Sequence, residues 1–218
     1  MRLRRKPWID EAIKEYGAFV HMEGLDSHRG AWQDVFPANR PLHVELGTGK
    51  GQFISQMAAV HPDINYLGIE VQLGVLYYAA KKTADLGLTN LHLLLFDIAG
   101  LQSIFAEGEV DRFYINFCDP WPKARHAKRR LTYRTFLDQY ARLLKEDGKI
   151  CFKTDNRELF DFSLEEFAER GWELSNVTYD LHQSGLEGNI MTEYEQKFSA
   201  KGQPICRCVA SKPKEAQK

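Results

Sequence analysis

The feature that most constrains this chain is a five-fold alternation of short apolar runs with amphipathic ones. Pro41–Leu46, Asn65–Glu70, Leu91–Phe96, Arg112–Phe117 and Gly148–Lys153 read as strands. Between them lie segments of helical period. Gln52–Val60 carries Phe53 and Met57 one turn apart, Val71, Val75, Tyr78 and Lys82 keep helical spacing, Leu101–Ala106 is short, and Tyr133, Leu137, Tyr140 and Leu144 mark another helix. Such alternation predicts an α/β chain with a mainly parallel sheet and helices on both faces. The pattern then changes. Phe160–Arg170 reads as a helix, while Trp172–Tyr179 and Ile205–Ala210 read as strands separated by a polar insertion without a clear helix. They predict an antiparallel pair at the edge of a seven-stranded sheet. Residues 1–40 are expected to form a basic lead-in with a short helix near Asp10–Val20. The main domain then runs over 41–210, and 211–218 is a frayed tail. With 218 residues, 44% of them hydrophobic, one core is the simple expectation.

Open parallel sheets bind ligands beyond the carboxyl ends of their strands. The first four strands end at or beside Glu45, Glu70, Asp97 and Asp119. One such acid is an ordinary helix cap, but four on one rim repel each other unless a cation or several donors face them. The first strand runs into Gly47-Thr48-Gly49-Lys50-Gly51, whose third glycine comes one place too early for the dinucleotide fingerprint. Glu45 beside that loop suits a cationic ligand better than a pyrophosphate. Glu70 stands where an acid accepts hydrogen bonds from ribose hydroxyls in nucleoside-binding sheets. S-adenosylmethionine meets these demands, having a ribose, an adenine amine, an ammonium and a sulfonium, and no phosphate.

Charge is distributed unevenly. Lys and Arg number 29 against 30 Asp and Glu, so bulk charge alone conceals any polyanion binder. Yet Arg2, Arg4, Arg5 and Lys6 crowd the start, and Lys123, Arg125, Lys128, Arg129, Arg130 and Arg134 follow one another without an acid. If folding unites them, two such clusters on an acidic body focus a polyanion; the alternative is a basic tail plus a solvated helix start. Cys118, Cys151, Cys206 and Cys208 lie in or beside strands and read as buried thiols, with no metal-ligand spacing among them. No secretory segment follows the basic start, and no apolar run is long enough to span a bilayer. A cytoplasmic location is expected.

The motifs together are similar to those of the bacterial tRNA (guanine-N7-)-methyltransferase family. The resemblance is carried by His43-Val44-Glu45-Leu46-Gly47-Thr48-Gly49-Lys50-Gly51, Gly68-Ile69-Glu70 and Phe117-Cys118-Asp119-Pro120-Trp121-Pro122-Lys123. Arg125-His126, Lys128-Arg129-Arg130 and Thr192-Glu193-Tyr194-Glu195 with Lys197-Phe198 extend it over roughly residues 40–210. Cys118 departs from it, standing where that family often has serine. The resemblance implies a class I, Rossmann-like methyltransferase fold. It also implies methylation of a variable-loop guanine of tRNA, with cofactor contacts at Glu45, Glu70, Asp97 and Asp119. Glycines 47, 49 and 51 allow close backbone approach. RNA or guanine contacts are implied at Lys123, Asp155, Thr192, Glu193, Tyr194 and Glu195, while Arg125, Lys128, Arg129 and Arg130 are expected to meet phosphates.

Asp119 is the expected catalytic residue. Guanine N7 has an in-plane lone pair and no proton, so Asp119 is expected to align the reaction and not to act as a base. Trp121 either stacks on the base or packs on the protein. Arg130 and Arg134 have a second option, pairing with surface acids. Other classes compatible with the residues are methylation of an exocyclic base amine, a non-catalytic RNA-binding module and, least suited by its glycine spacing, a nicotinamide-dependent oxidoreductase. Either a monomer or a homodimer is compatible with the chain.

Overall fold

The computed structural model describes residues 6–213 and resolves into two compact units that divide after Ala106. Arg2, Arg4 and Arg5 of the first basic cluster lie outside the described residues.

The first unit holds four strands, β1 (Val20–His21), β2 (Leu42–Leu46), β3 (Asn65–Glu70) and β4 (Leu91–Leu95). They run in the order β1-β4-β3-β2, all parallel, with Leu42 opposite Asn65, Tyr66 opposite Leu91 and Val20 opposite Leu93. Nearly every residue of β2, β3 and β4 is buried, as expected of a sheet covered on both faces. Helices α1 (Ile9–Ala12), α2 (Gln52–Val60), α3 (Leu73–Asp85) and α4 (Leu101–Ile104) belong to this unit.

β1 was not foreseen and brings the strand total to eight among the described residues, one more than expected. Two residues carry no period-2 signal, so only the sheet reveals it. Its segment belongs to the core: Trp32 is fully buried and its indole N–H donates to the Ile104 carbonyl at 2.7 Å. His21 Nε2 and His92 Nδ1 lie 2.8 Å apart, joining β1 to β4 through side chains.

The second unit comprises β5 (Val110–Asn116), β6 (Leu144–Thr154), β7 (Glu173–Thr178) and β8 (Cys206–Ser211), with helices α5 (Arg134–Leu143), α6 (Arg157–Glu169) and α7 (Glu193–Ser199). β5 is parallel to β6, while β6–β8 and β8–β7 are antiparallel, the edge pair expected. The basic run holds a 3-10 turn, Ala124–Arg129, ahead of α5. Two expectations need correction. The polar insertion between β7 and β8 contains α7. Ser211, expected in a frayed tail, completes β8, and Lys212 is tethered through its amide to Gly148 and its ammonium to Leu144.

Candidate cofactor and substrate sites

In the first unit the glycine loop leaves β2 and enters α2. Its amides turn inward. Those of Gly47 and Thr48 both donate to the Ile69 carbonyl at 2.9 Å, that of Gly51 to Thr48 at 3.0 Å, and that of Gly49 to Glu70 Oε2 at 3.1 Å. A phosphate cradle requires the opposite arrangement, with amides aimed at the ligand. Glu70 also accepts from the Gln72 amide at 2.9 Å, so each of its oxygens takes one neutral donor and retains acceptor capacity. Glu45 is buried beneath the loop, where the Thr48 hydroxyl donates to it at 2.6 Å.

The three glycines separate by role. All have left-handed φ of 79°, 59° and 77°. A Cβ at Gly47 or Gly49 would meet no atom within 4 Å, leaving an open face over the loop. A Cβ at Gly51 would stand 2.7 Å from that of Ala79, so Gly51 exists for the contact of α2 with α3. The loop's open face, two acceptor carboxylates and inward amides fit S-adenosylmethionine and do not suit a pyrophosphate. Asp97, exposed after β4, uses one oxygen to cap the Ala99 amide at 2.9 Å.

In the second unit β5 runs into Phe117-Cys118-Asp119-Pro120-Trp121. Phe117 and Trp121 have φ of 52° and 42°, a conformation costing an L-residue roughly 1–2 kcal/mol each. Such strain persists only where the surroundings hold it. The Asp119 side of this loop is exposed. Burial, and then the adjacent Asp119 carboxylate, push the Cys118 thiol up to about 12, which leaves it protonated and no nucleophile.

The basic run divides. Lys123, Arg125, Lys128 and Arg129 are exposed, and 3-10 geometry aligns Arg125 with Lys128. The Arg129 guanidinium lies 4.8 Å over the Trp121 ring, and His126 meets that ring edge-on at 5.8 Å. Trp121 therefore packs on its own basic turn. Arg130 turns inward, donating from Nε to the Pro120 carbonyl at 3.1 Å and from Nη2 to that of Trp121 at 3.2 Å. Arg134 pairs with Glu166 at 2.6 Å and Glu169 at 3.1 Å.

Asp155 lies just past β6, and the Tyr194 hydroxyl donates to it at 2.8 Å. Burial, followed by that hydrogen bond, pushes the Tyr194 phenol up to about 12. Thr192 caps α7 by accepting from the Glu195 amide at 2.9 Å. Glu193 and Tyr194 are exposed, but Glu195 is 0% exposed. Its carboxylate receives Lys153 Nζ at 2.7 Å and the Asn189 amide at 2.7 Å, with His182 at 3.3 Å. Lys153 further donates to Asn189 Oδ1 and the Ile190 carbonyl. Sequence reasoning missed Lys153, which in an alternating strand looks like an ordinary solvated lysine. It also placed Glu195 on the substrate, whereas its carboxylate joins a buried network.

Comparison with solved structures identifies the fold. A 16S rRNA methyltransferase superimposes with a TM-score of 0.61 over 88% of this chain and 92% of its own, at 15% identity. An S-adenosylmethionine-dependent methyltransferase from Aquifex aeolicus gives 0.57 over 94% and 89%, also at 15% identity. At such identity the likeness concerns fold alone, and the fold is that of the class I methyltransferases, Rossmann-like, with an antiparallel edge pair. Residues 39–208 match a family model described as putative methyltransferase. The tRNA (guanine-N(7)-)-methyltransferase of Geobacillus kaustophilus is 52% identical over 98% of both chains. That of Streptococcus pneumoniae is 50% identical over 96% of this chain and 99% of its own. The chain belongs to the bacterial tRNA (guanine-N7-)-methyltransferase family.

Proposed function

We propose that this protein transfers a methyl group from S-adenosylmethionine to N7 of a guanine in the variable loop of tRNA. The observation that carries the reading is the identity of about half the residues over the full length of tRNA (guanine-N(7)-)-methyltransferases. Bound S-adenosylmethionine supplies an electrophilic methyl on a sulfonium. Glu45, Glu70, Asp97 and the backbone at Gly47 and Gly49 would hold it, with Gly51 acting through helix packing. Asp119 aligns the reacting partners. Because N7 carries no proton, Asp119 has none to remove, and its contribution is orientation and charge. Lys123, Arg125, Lys128 and Arg129 neutralise phosphates, which supplies affinity and registration. Asp155, Glu193 and Tyr194 offer polar groups to the guanine edge, the first from just past β6 and the other two from the start of α7, which the Thr192 cap and the Glu195 pair hold in place. No helix among the described residues is long and apolar enough to cross a membrane. A cytoplasmic site of action suits the four free cysteines.

The test is to incubate the purified chain with unmodified tRNA transcript and methyl-labelled S-adenosylmethionine, then map the product. A single 7-methylguanine in the variable loop is expected. Label on an exocyclic amine would overturn the N7 assignment. Binding of tRNA with neither cofactor affinity nor methylated product would make the chain a non-catalytic RNA-binding module.

A further inference from the structure

We infer that Arg130 is a positioning residue for Asp119, fixing the backbone of the loop that carries it, and that it does not serve as a phosphate ligand. This rests on the reading of Asp119 given above. Within Lys128-Arg129-Arg130 the two arginines are chemically alike, but the fold assigns them different surroundings. Arg129 is exposed over the Trp121 ring. Arg130 directs one edge of its guanidinium at two consecutive carbonyls, those of Pro120 and Trp121. Its Cζ lies 4.3 Å from the centre of the Phe162 ring of α6, and Phe162 is itself stacked with Tyr133 at an interplanar angle of 7°. The fork is thus held from behind as well as in front.

The loop needs an external support because its own backbone supplies little. Pro120 and Pro122 have no amide proton. Phe117 and Trp121, on either side of Cys118-Asp119-Pro120, both occupy the left-handed region. The Phe117 amide is anchored to the Lys153 carbonyl at 2.9 Å, which fixes the near end. Arg130 fixes the far end. A planar fork reaches two adjacent carbonyls from one edge, whereas an ammonium is a point charge on a flexible stem. Lysine at 130 would keep the charge and lose the geometry.

That difference defines the experiment. Single-turnover methylation at saturating tRNA and tRNA binding at several salt concentrations are measured for Arg130→Lys, Arg130→Gln, Arg129→Ala and Phe162→Leu. Arg130→Lys is expected to lower the single-turnover rate roughly 10- to 100-fold, the scale of misplacing a reacting group by about 1 Å. Its tRNA affinity and salt slope should stay near wild type. Arg129→Ala should instead lose tRNA affinity and salt slope, the two readouts that Arg130→Lys is expected to spare. Phe162→Leu leaves both carbonyl bonds possible and should produce a smaller rate loss, not additive with Arg130→Lys. Should Arg130→Lys fail to fold, as judged by loss of S-adenosylmethionine binding, Phe162→Leu decides alone: an unchanged rate overturns the inference. A wild-type rate in Arg130→Lys, with affinity and salt slope lost in Arg130→Gln, makes Arg130 a phosphate ligand. Asp119→Ala is the control for the underlying reading. If it keeps the wild-type rate, the Asp119 assignment fails, whatever Arg130 does.

Discussion

The loop after β2 and the loop after β5 both follow a parallel strand, and both hold left-handed backbone. They are held by opposite chemistry. In the first unit the loop amides are drawn onto acceptors, with Glu70 taking Gly49 and Gln72, and Ile69 taking Gly47 and Thr48. In the second unit loop carbonyls are drawn onto a cation, Arg130, and the nearby acids Glu195 and Glu166 are matched by Lys153 and Arg134. Glu70, held by two backbone amides, keeps acceptor capacity on both oxygens. Carboxylates closed by lysine or arginine hold the chain together. The partner of an acid, more than its place at a strand end, therefore tells a binding group from a structural one.

The largest test of that distinction is Lys153→Met. It leaves the Glu195 carboxylate fully buried without its cation, and stability should fall by about 3–5 kcal/mol in urea unfolding. Adding Glu195→Gln should recover more than half of the loss, because the remaining groups are neutral. If the double variant is as unstable as the single one, the pair is not the source of the effect, and Glu195 returns to the candidates for guanine recognition.

The sequence shows why this was hard to foresee. Strand–helix alternation was legible because the buried runs are long and apolar; Gln52–Val60 and Asn65–Glu70 have the boundaries expected. α7 was not, since it is seven residues long and buries a glutamate, so no apolar stripe announces it. Thr192 and Glu195 look like a polar binding motif in one dimension, yet one caps a helix and the other closes an ion pair. Within Lys128-Arg129-Arg130 nothing local says which arginine folds back, because the deciding partners are a ring at position 162 and two carbonyls about ten residues upstream. The glycine loop was legible as a phosphate-free site from its spacing and neighbouring acids. That Gly51 serves helix packing depends on Ala79 and was not.

A smaller effect should distinguish the first unit. Glu70→Ala removes an acid whose partners are backbone amides, so the loss should fall on the ligand. S-adenosylmethionine affinity should drop by about 1.5–3 kcal/mol by calorimetry, the worth of charge-assisted hydrogen bonds, with tRNA affinity hardly changed. Unaltered cofactor binding in a folded variant would remove Glu70 from the site. A loss of global stability as large as that of Lys153→Met would erase the contrast between the two loops.

The smallest expected effect concerns a pair of histidines in the first unit, where neutrality again prevails. Burial, and then the neighbouring His21 and His28, lower the His92 pKa to about 4, and burial and His28 lower His21 as well. Phe36 covers the His92 ring edge-on at 4.7 Å, adding to the burial that disfavours a proton there. A histidine whose folded pKa is depressed is protonated first in the unfolded chain, whose ordinary value is about 6.5. The unfolded state then binds more protons, and stability present at neutral pH is lost progressively as pH falls from that value toward 4. For His92 alone the loss between pH 7.5 and 5.5 is on the order of 1 kcal/mol. His92→Gln preserves a hydrogen-bonding partner for His21 but cannot titrate. Urea unfolding of the wild type and His92→Gln at the two pH values should show the variant losing less by about that amount. Equal losses would mean that β1 and β4 tolerate the charged pair, and that the neutral character of the first unit belongs to its loop and not to its core.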